Sequence, residues 1–85
     1  MSETDYIFEI DARRLLCPLP VIRLQNKIKT IHQTNEHSNQ QVLIKIYCTD
    51  PGTLHDIPTW CRLYGHTVIS IEEPENELHF LVKVN

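Results

Sequence analysis

The spacing of apolar residues in this chain switches repeatedly between a period of two and a period near 3.6, and that succession restricts the fold more than any other feature. Tyr6 to Ile10 alternates, with Tyr6, Phe8 and Ile10 on one side and Ile7 and Glu9 on the other, as in a half-buried strand. From Val21 the period lengthens. Val21, Leu24, Ile28 and Ile31 form one stripe while Arg23, Asn26, Lys27 and Lys29 face away, the pattern of an amphipathic helix. The polar run QTNEHSNQ, residues 33–40, reads as an extended loop. QVLIKIY then alternates again, with Val42, Ile44 and Ile46 opposite Lys45.

A second helix is expected to open at Thr49-Asp50-Pro51-Gly52. Asp50 suits the N-cap, and Pro51 the first helical position, where its missing N–H would be unpaired anyway. Leu54, Ile57, Cys61 and Tyr64 recur at helical spacing beside Trp60. Pro58 should kink or split this helix near Leu54, and Gly65 should end it. HTVISIEE (66–73) and ELHFLVKV (77–84) are two further strands joined by PEN, with Leu78, Phe80, Val82 and Val84 opposite His79 and Lys83.

The order β-α-β-α-β-β predicts an α+β fold, a two-layer α/β sandwich in which a four-stranded mixed sheet carries both helices on one face. The other face, with Glu9, Lys45, His79 and Lys83, is left to water or a partner. The short turn makes the last two strands an antiparallel hairpin, and the helical crossovers make the other pairings candidates for parallel ones. Residues 1–85 read as one domain, with 1–5 a flexible N-terminus.

A net charge of −3 and the absence of any lysine or arginine run argue against direct nucleic-acid binding. The acidic N-terminus does not resemble a secretory signal, and no apolar segment approaches membrane-spanning length. Both point to the cytoplasm, where thiols stay reduced. Three cysteines without CxxC spacing argue against a disulfide framework, and five histidines without HxxxH spacing argue against a metal site. Two glycines are too few for a phosphate loop, so no cofactor is expected. Glu72, Glu73, Glu75 and Glu77 bracket a turn and read as a solvated rim.

The stretch Arg13-Arg14-Leu15-Leu16-Cys17-Pro18-Leu19-Pro20 places a cysteine where the first helix starts. Two placements stay open. With Cys17 as the N-cap, Pro18 and Pro20 are the first and third helical residues and Leu19 is the local donor left for the sulfur. With Leu19 as the cap, as the avoidance of helical angles before proline suggests, Cys17 lies one step outside. Either way the prolines present a stiff, exposed sulfur at a positive helix end. The dipole is worth ~0.3–1 kcal/mol there, a modest lowering of the thiol below its free value of about 8.5. Arg13 and Arg14 would add to it if aimed at the sulfur. Cys61 reads as buried on its helix stripe, and Cys48, closing the second strand, reads equally as buried or as a thiol near Cys17. His55 and Asp56 would approach Cys17 if the two helix starts cluster at one edge. The plainer alternative is surface polarity for His55 and a capping role for Asp56 before Pro58.

Asp11-Ala12, Leu15 and Cys17-Pro18-Leu19-Pro20-Val21-Ile22 resemble the signature of the TusA/SirA-type sulfur-carrier proteins. Thr49-Asp50-Pro51-Gly52 through Asp56-Ile57-Pro58, then Trp60-Cys61 and Gly65-His66, resembles that family's second helix and its exit. The resemblance covers nearly the whole chain apart from the first few residues and 33–40. It implies that Cys17 carries sulfane sulfur as a persulfide; read from their positions, Pro18, Leu19, Pro20, Arg13 and Arg14 would support that sulfur, and Asp50, His55 and Asp56 are candidate accessory residues. The implied donor is a cysteine desulfurase or another sulfurtransferase, and the recipient a downstream sulfur-accepting protein. In relatives the relay serves tRNA 2-thiolation, molybdenum-cofactor maturation or sulfur oxidation. The alternative is a non-catalytic regulatory or partner-binding module with a structural or redox-sensing Cys17. The chain departs from the family where Arg14 replaces a usual glycine, Leu16 an arginine or polar residue, and Leu19 a glutamate or polar residue. Its 33–40 loop is also longer and lacks the expected glycine.

Overall fold

A computed structural model describes residues 5–34 and 41–85. Strand β1 (Asp5–Ala12) is followed by helix α1 (Leu19–Thr34), β2 (Gln41–Cys48), α2 (Thr53–Leu63), β3 (Thr67–Glu72) and β4 (Leu78–Val84). A single 3₁₀ turn, Pro74–Asn76, closes the β3–β4 hairpin. The sheet order is β1-β2-β4-β3, with β1 and β2 parallel and the other two pairings antiparallel. This is the expected mixed four-stranded sheet, and β4 is the strand that turns it from parallel to antiparallel.

Register explains the core. Ile10 pairs with Ile46, Ile46 with Phe80, and Phe80 with Ile71, so one row of apolar side chains crosses all four strands. The neighbouring row joins Phe8, Ile44, Val82 and Val68. Leu24, Ile28 and Ile31 of α1 and Ile57 and Cys61 of α2 close over the same face in one cluster. Each large side chain fully buried there contributes roughly 1.5–3 kcal/mol. A register irregularity between Val68 and Ser70 leaves Ile69 exposed on the hairpin.

Several boundaries differ from the sequence reading. Asp5 belongs to β1 rather than to a flexible N-terminus, and residues 1–4 lie outside the described residues. Helix α1 runs on through Gln33 and Thr34, so only 35–40 of the expected loop remain, and these also lie outside the described residues. Helix α2 begins at Thr53, after Pro51 and Gly52 have formed a turn on the Asp50 carbonyl (Thr53 N–H to Asp50 O, 3.0 Å). It continues unbroken through Pro58. The missing N–H removes a single bond, to the Leu54 carbonyl, and burial of Ile57 and Cys61 on either side holds the helix across it. Its buried stripe is Thr53, Ile57 and Cys61. Leu54, expected on that stripe, is exposed, because the inward position at the helix start is taken by Thr53, whose hydroxyl donates to the Asp50 carbonyl at 2.7 Å. Tyr64, also expected there, is the C-cap past the last helical residue and is exposed. Gly65 ends the helix as expected, with a left-handed φ of 82° and the His66 N–H returning to Cys61 O at 2.8 Å.

The other sheet face is a polar network around Tyr47. Its hydroxyl donates to Glu9 Oε2 at 3.0 Å, and its ring meets His79 edge-on at 4.6 Å. His79 Nε2 lies 2.9 Å from Glu77 Oε1.

Candidate functional site

Because β1 and β2 are parallel and Ala12 pairs with Cys48, both strands release their chains at the same edge of the sheet. That is the edge where open α/β sheets place their sites. The two emerging loops are tied together by hydrogen bonds. Arg14 N–H donates to Thr49 Oγ1 at 2.8 Å, and Cys17 N–H donates to Asp50 Oδ2 at 2.9 Å. The second Asp50 oxygen accepts the Gly52 N–H at 3.1 Å, so one carboxylate grips both loops. The grip demands an unusual backbone. Arg14 has φ 71°, in the left-handed region that favours glycine.

Arg13 braces the loop from the sheet side. Its guanidinium engages both Asp11 oxygens at 2.9 and 3.0 Å and Glu77 Oε2 at 3.4 Å. The hydrogen bonds from Arg13 hold the Asp11 carboxyl down to about 2. Glu77, lowered first by His79 and then by Arg13, is therefore a structural partner rather than part of a solvated rim. Arg13 and Arg14 line a hollow shared with Asp11, Thr49 and Glu77. They do not line the groove that holds the sulfur, and the charges that act on its thiol are those of Asp56 and Asp50.

Cys17 is not the N-cap; it lies outside the helix, as the second placement had it, but the cap is Pro18 rather than Leu19. The first helical bond runs from Ile22 N–H to Pro18 O at 3.1 Å, which makes Pro18 the cap residue and puts Cys17 just outside α1. The Leu19 N–H, expected to face the sulfur, donates to Leu16 O at 2.9 Å instead. Pro20 is buried under the first turn and anchors it. The Cys17–Pro18 peptide is cis. Leu16 and Leu19 are exposed, so the rim beside the thiol is apolar.

The Cys17 side chain is exposed, and its thiol donates to Asp56 Oδ2, across 39 residues of sequence. The expected lowering of the thiol is overturned. The Asp56 hydrogen bond is the main influence raising it, with desolvation and the charges of Asp56 and Asp50 acting in the same direction. The sulfur's own amide is given to Asp50 and that of Leu19 to Leu16, Pro18 and Pro20 have none, and the charged groups that act on the sulfur are the carboxylates of Asp56 and Asp50. Asp56 is thus a partner of the sulfur and not a cap before Pro58. His55 lines the same groove, about 300 Å³, between Pro18 and Val21 on one wall and Trp60 and Leu63 on the other. Cys48 and Cys61 are buried, and burial pushes each thiol up to about 11. Cys48 is therefore no accessible second thiol.

The sequence reading missed two holding contacts, Thr49 on Arg14 and Asp50 on the Cys17 amide. Their signal was the polar pair placed directly after β2, which becomes meaningful once β1 and β2 are known to be parallel. Among the described residues, no three histidine, cysteine or carboxylate side chains gather where they could hold a metal ion. No helix among the described residues is long and apolar enough to cross a membrane.

Fold and site together define a small α+β domain that presents one exposed thiol on a braced loop over a shallow groove. The family model described as Sulfurtransferase TusA matches residues 8–84, and the chain belongs to that family. It is 35% identical over 79 residues to a sulfur carrier protein TusA of Allochromatium vinosum, covering 93% of this chain and 95% of the relative. It is 30% identical over 74 residues to a protein of the same name from Pseudomonas syringae pv. tomato, covering 87% and 80%. A third, from Pseudomonas paraeruginosa, is 36% identical over 64 residues, covering 75% and 72%.

Proposed function

We propose that this protein is a sulfur-relay protein that carries sulfane sulfur as a persulfide on Cys17 and transfers it between partner proteins. The observation that carries this reading is the contrast among the three thiols: Cys17 is exposed on a loop braced by Thr49 and Asp50, and the other two are buried. Membership of a family whose relatives are named sulfur carriers supports the sulfur chemistry. In the transfer, Cys17 sulfur attacks the terminal sulfur of a donor protein's persulfide. One S–S bond forms and the donor's S–S bond breaks, its inner sulfur leaving with the electron pair and ending as a thiol. A second, identical step passes the sulfur to an acceptor thiol. Neither step needs an external oxidant, so the protein acts as a sulfurtransferase without a cofactor. A groove open to solvent suits this chemistry, since the partner brings the reactive atom.

The donor in this reading is a cysteine desulfurase or another sulfurtransferase, and 2-thiolation of tRNA by downstream proteins is the end use proposed. Arg13, Arg14, Pro18 and Pro20 hold the loop, Leu19 contributes to the docking rim, and Asp50 fixes the Cys17 amide. Incubation with a cysteine desulfurase and cysteine, followed by intact-mass measurement, tests the reading. One added sulfur atom is expected on the wild-type chain and none on Cys17→Ser. An adduct that survives Cys17→Ser refutes it.

A further inference from the structure

Resting on the persulfide reading, we infer that Asp56 is the acid–base partner of Cys17: it takes the thiol proton as the sulfur attacks and delivers a proton to the leaving thiolate of the donor.

The assignment begins with geometry. The thiol has one proton, and its acceptor is Asp56 Oδ2. Asp50, the other carboxylate that acts on the sulfur, already accepts the Cys17 and Gly52 amides with its two oxygens. His55 lines the groove without a hydrogen bond to the sulfur. Arg13 and Arg14, on the loop itself, belong to the separate hollow with Glu77. The groups around Cys17 are therefore Asp56 and His55 from α2 and Asp50 from the turn before it, and Asp56 alone touches the reacting atom.

A carboxylate in this position has two effects of opposite sense. At rest it holds the sulfur as a thiol, which is a poor nucleophile toward stray electrophiles because the thiolate is the reactive form. During transfer it removes the need for prior ionisation. The proton moves to Asp56 while the new S–S bond forms, and the donor sulfur, which leaves as a thiolate, takes it up. Atoms and charge balance: a donor persulfide and the Cys17 thiol become a donor thiol and the Cys17 persulfide. Positioned general acid–base groups of this kind contribute roughly 10²-fold or more. Such a site favours donors whose leaving group is a thiolate needing a proton.

The test compares wild type with Asp56→Asn in three measurements. Thiolate absorbance is titrated as a difference from the matching Cys17→Ser chain, which removes Cys48 and Cys61 from the signal. Alkylation by iodoacetamide is followed near neutral pH. Sulfur uptake from glutathione persulfide is timed by intact mass at a series of pH values. The wild-type titration midpoint should lie above the free-cysteine value of about 8.5, and the variant's below the wild type's. Asp56→Asn should be alkylated several-fold faster, because iodide leaves without a proton. The same variant should take up sulfur at least about tenfold more slowly at mildly acid pH, with the gap narrowing as pH rises. A structural role alone would move both rates the same way. Alkylation and uptake changing in parallel, or a wild-type midpoint at or below the free value, overturns the proposal, and the latter needs no variant to fold. Uptake by wild type with an unchanged profile in Asp56→Asn sinks the Asp56 role alone, whereas no sulfur on wild type sinks the carrier reading.

Discussion

Replacing Arg14 by glycine should stabilise this protein, and the size of the effect follows from one backbone angle. Arg14 sits at φ 71°, where the side chain of an L-residue crowds its own backbone at a cost of roughly 1–2 kcal/mol. Glycine removes that cost but loses more backbone freedom on folding, an opposing effect of roughly 0.5–1 kcal/mol. The hydrogen bond that fixes this residue, from its N–H to Thr49 Oγ1, does not involve the side chain and survives the change. Arg14→Gly should therefore gain up to ~1.5 kcal/mol, about 0.75 kcal/mol at the middle of the two ranges, which raises the melting temperature of a domain this size by about 3–6 °C. Arg14→Ala keeps the left-handed penalty and should gain nothing. Thermal melts followed by circular dichroism give the comparison. If alanine stabilises as much as glycine, or if glycine destabilises, the strain at position 14 is not what the angle indicates.

Phe80, fully buried at the centre of the row linking all four strands, should cost about 3–5 kcal/mol on truncation to alanine. At a urea slope of about 1–3 kcal/mol per M, Phe80→Ala should lower the urea midpoint by at least about 1 M, and a smaller fall would mean the core collapses around the gap. Asp11 and Glu77 both titrate lower in the folded state than unfolded, so their pairing stabilises above the ordinary carboxylate value of about 4 and is lost as pH falls toward 2. Urea unfolding of wild type and Arg13→Ala should accordingly show a stability gap at neutral pH that closes below pH about 4, and a gap constant down to pH about 2 would contradict the assignment.

The order of elements, the core faces of β1, β2 and β4 and the place of the exposed cysteine were legible in the sequence, whereas the register irregularity between Val68 and Ser70 breaks any simple alternation in β3. Alternation at Phe8 and Ile10, and the helical stripe at Leu24, Ile28 and Ile31, are local consequences of having one wet side and one dry side. They survive into the fold because burial selects them residue by residue. Local reading failed at the ends of α2, where Leu54 and Tyr64 fit the apolar spacing of Ile57 and Cys61. Thr53 instead takes the inward place with its hydroxyl on the Asp50 carbonyl, and Tyr64 falls past the last helical residue. The electrostatics of Cys17 failed for a related reason. Sequence places the sulfur beside a helix start and two arginines, all of which favour a thiolate. The parallel pairing of β1 with β2 brings Asp50 and Asp56 across more than thirty residues to the same edge, while Arg13 turns toward Asp11 and Glu77. The sign of a group's shift is set by the nearest charges in space, and those were chosen by strand pairing, which no local pattern encodes.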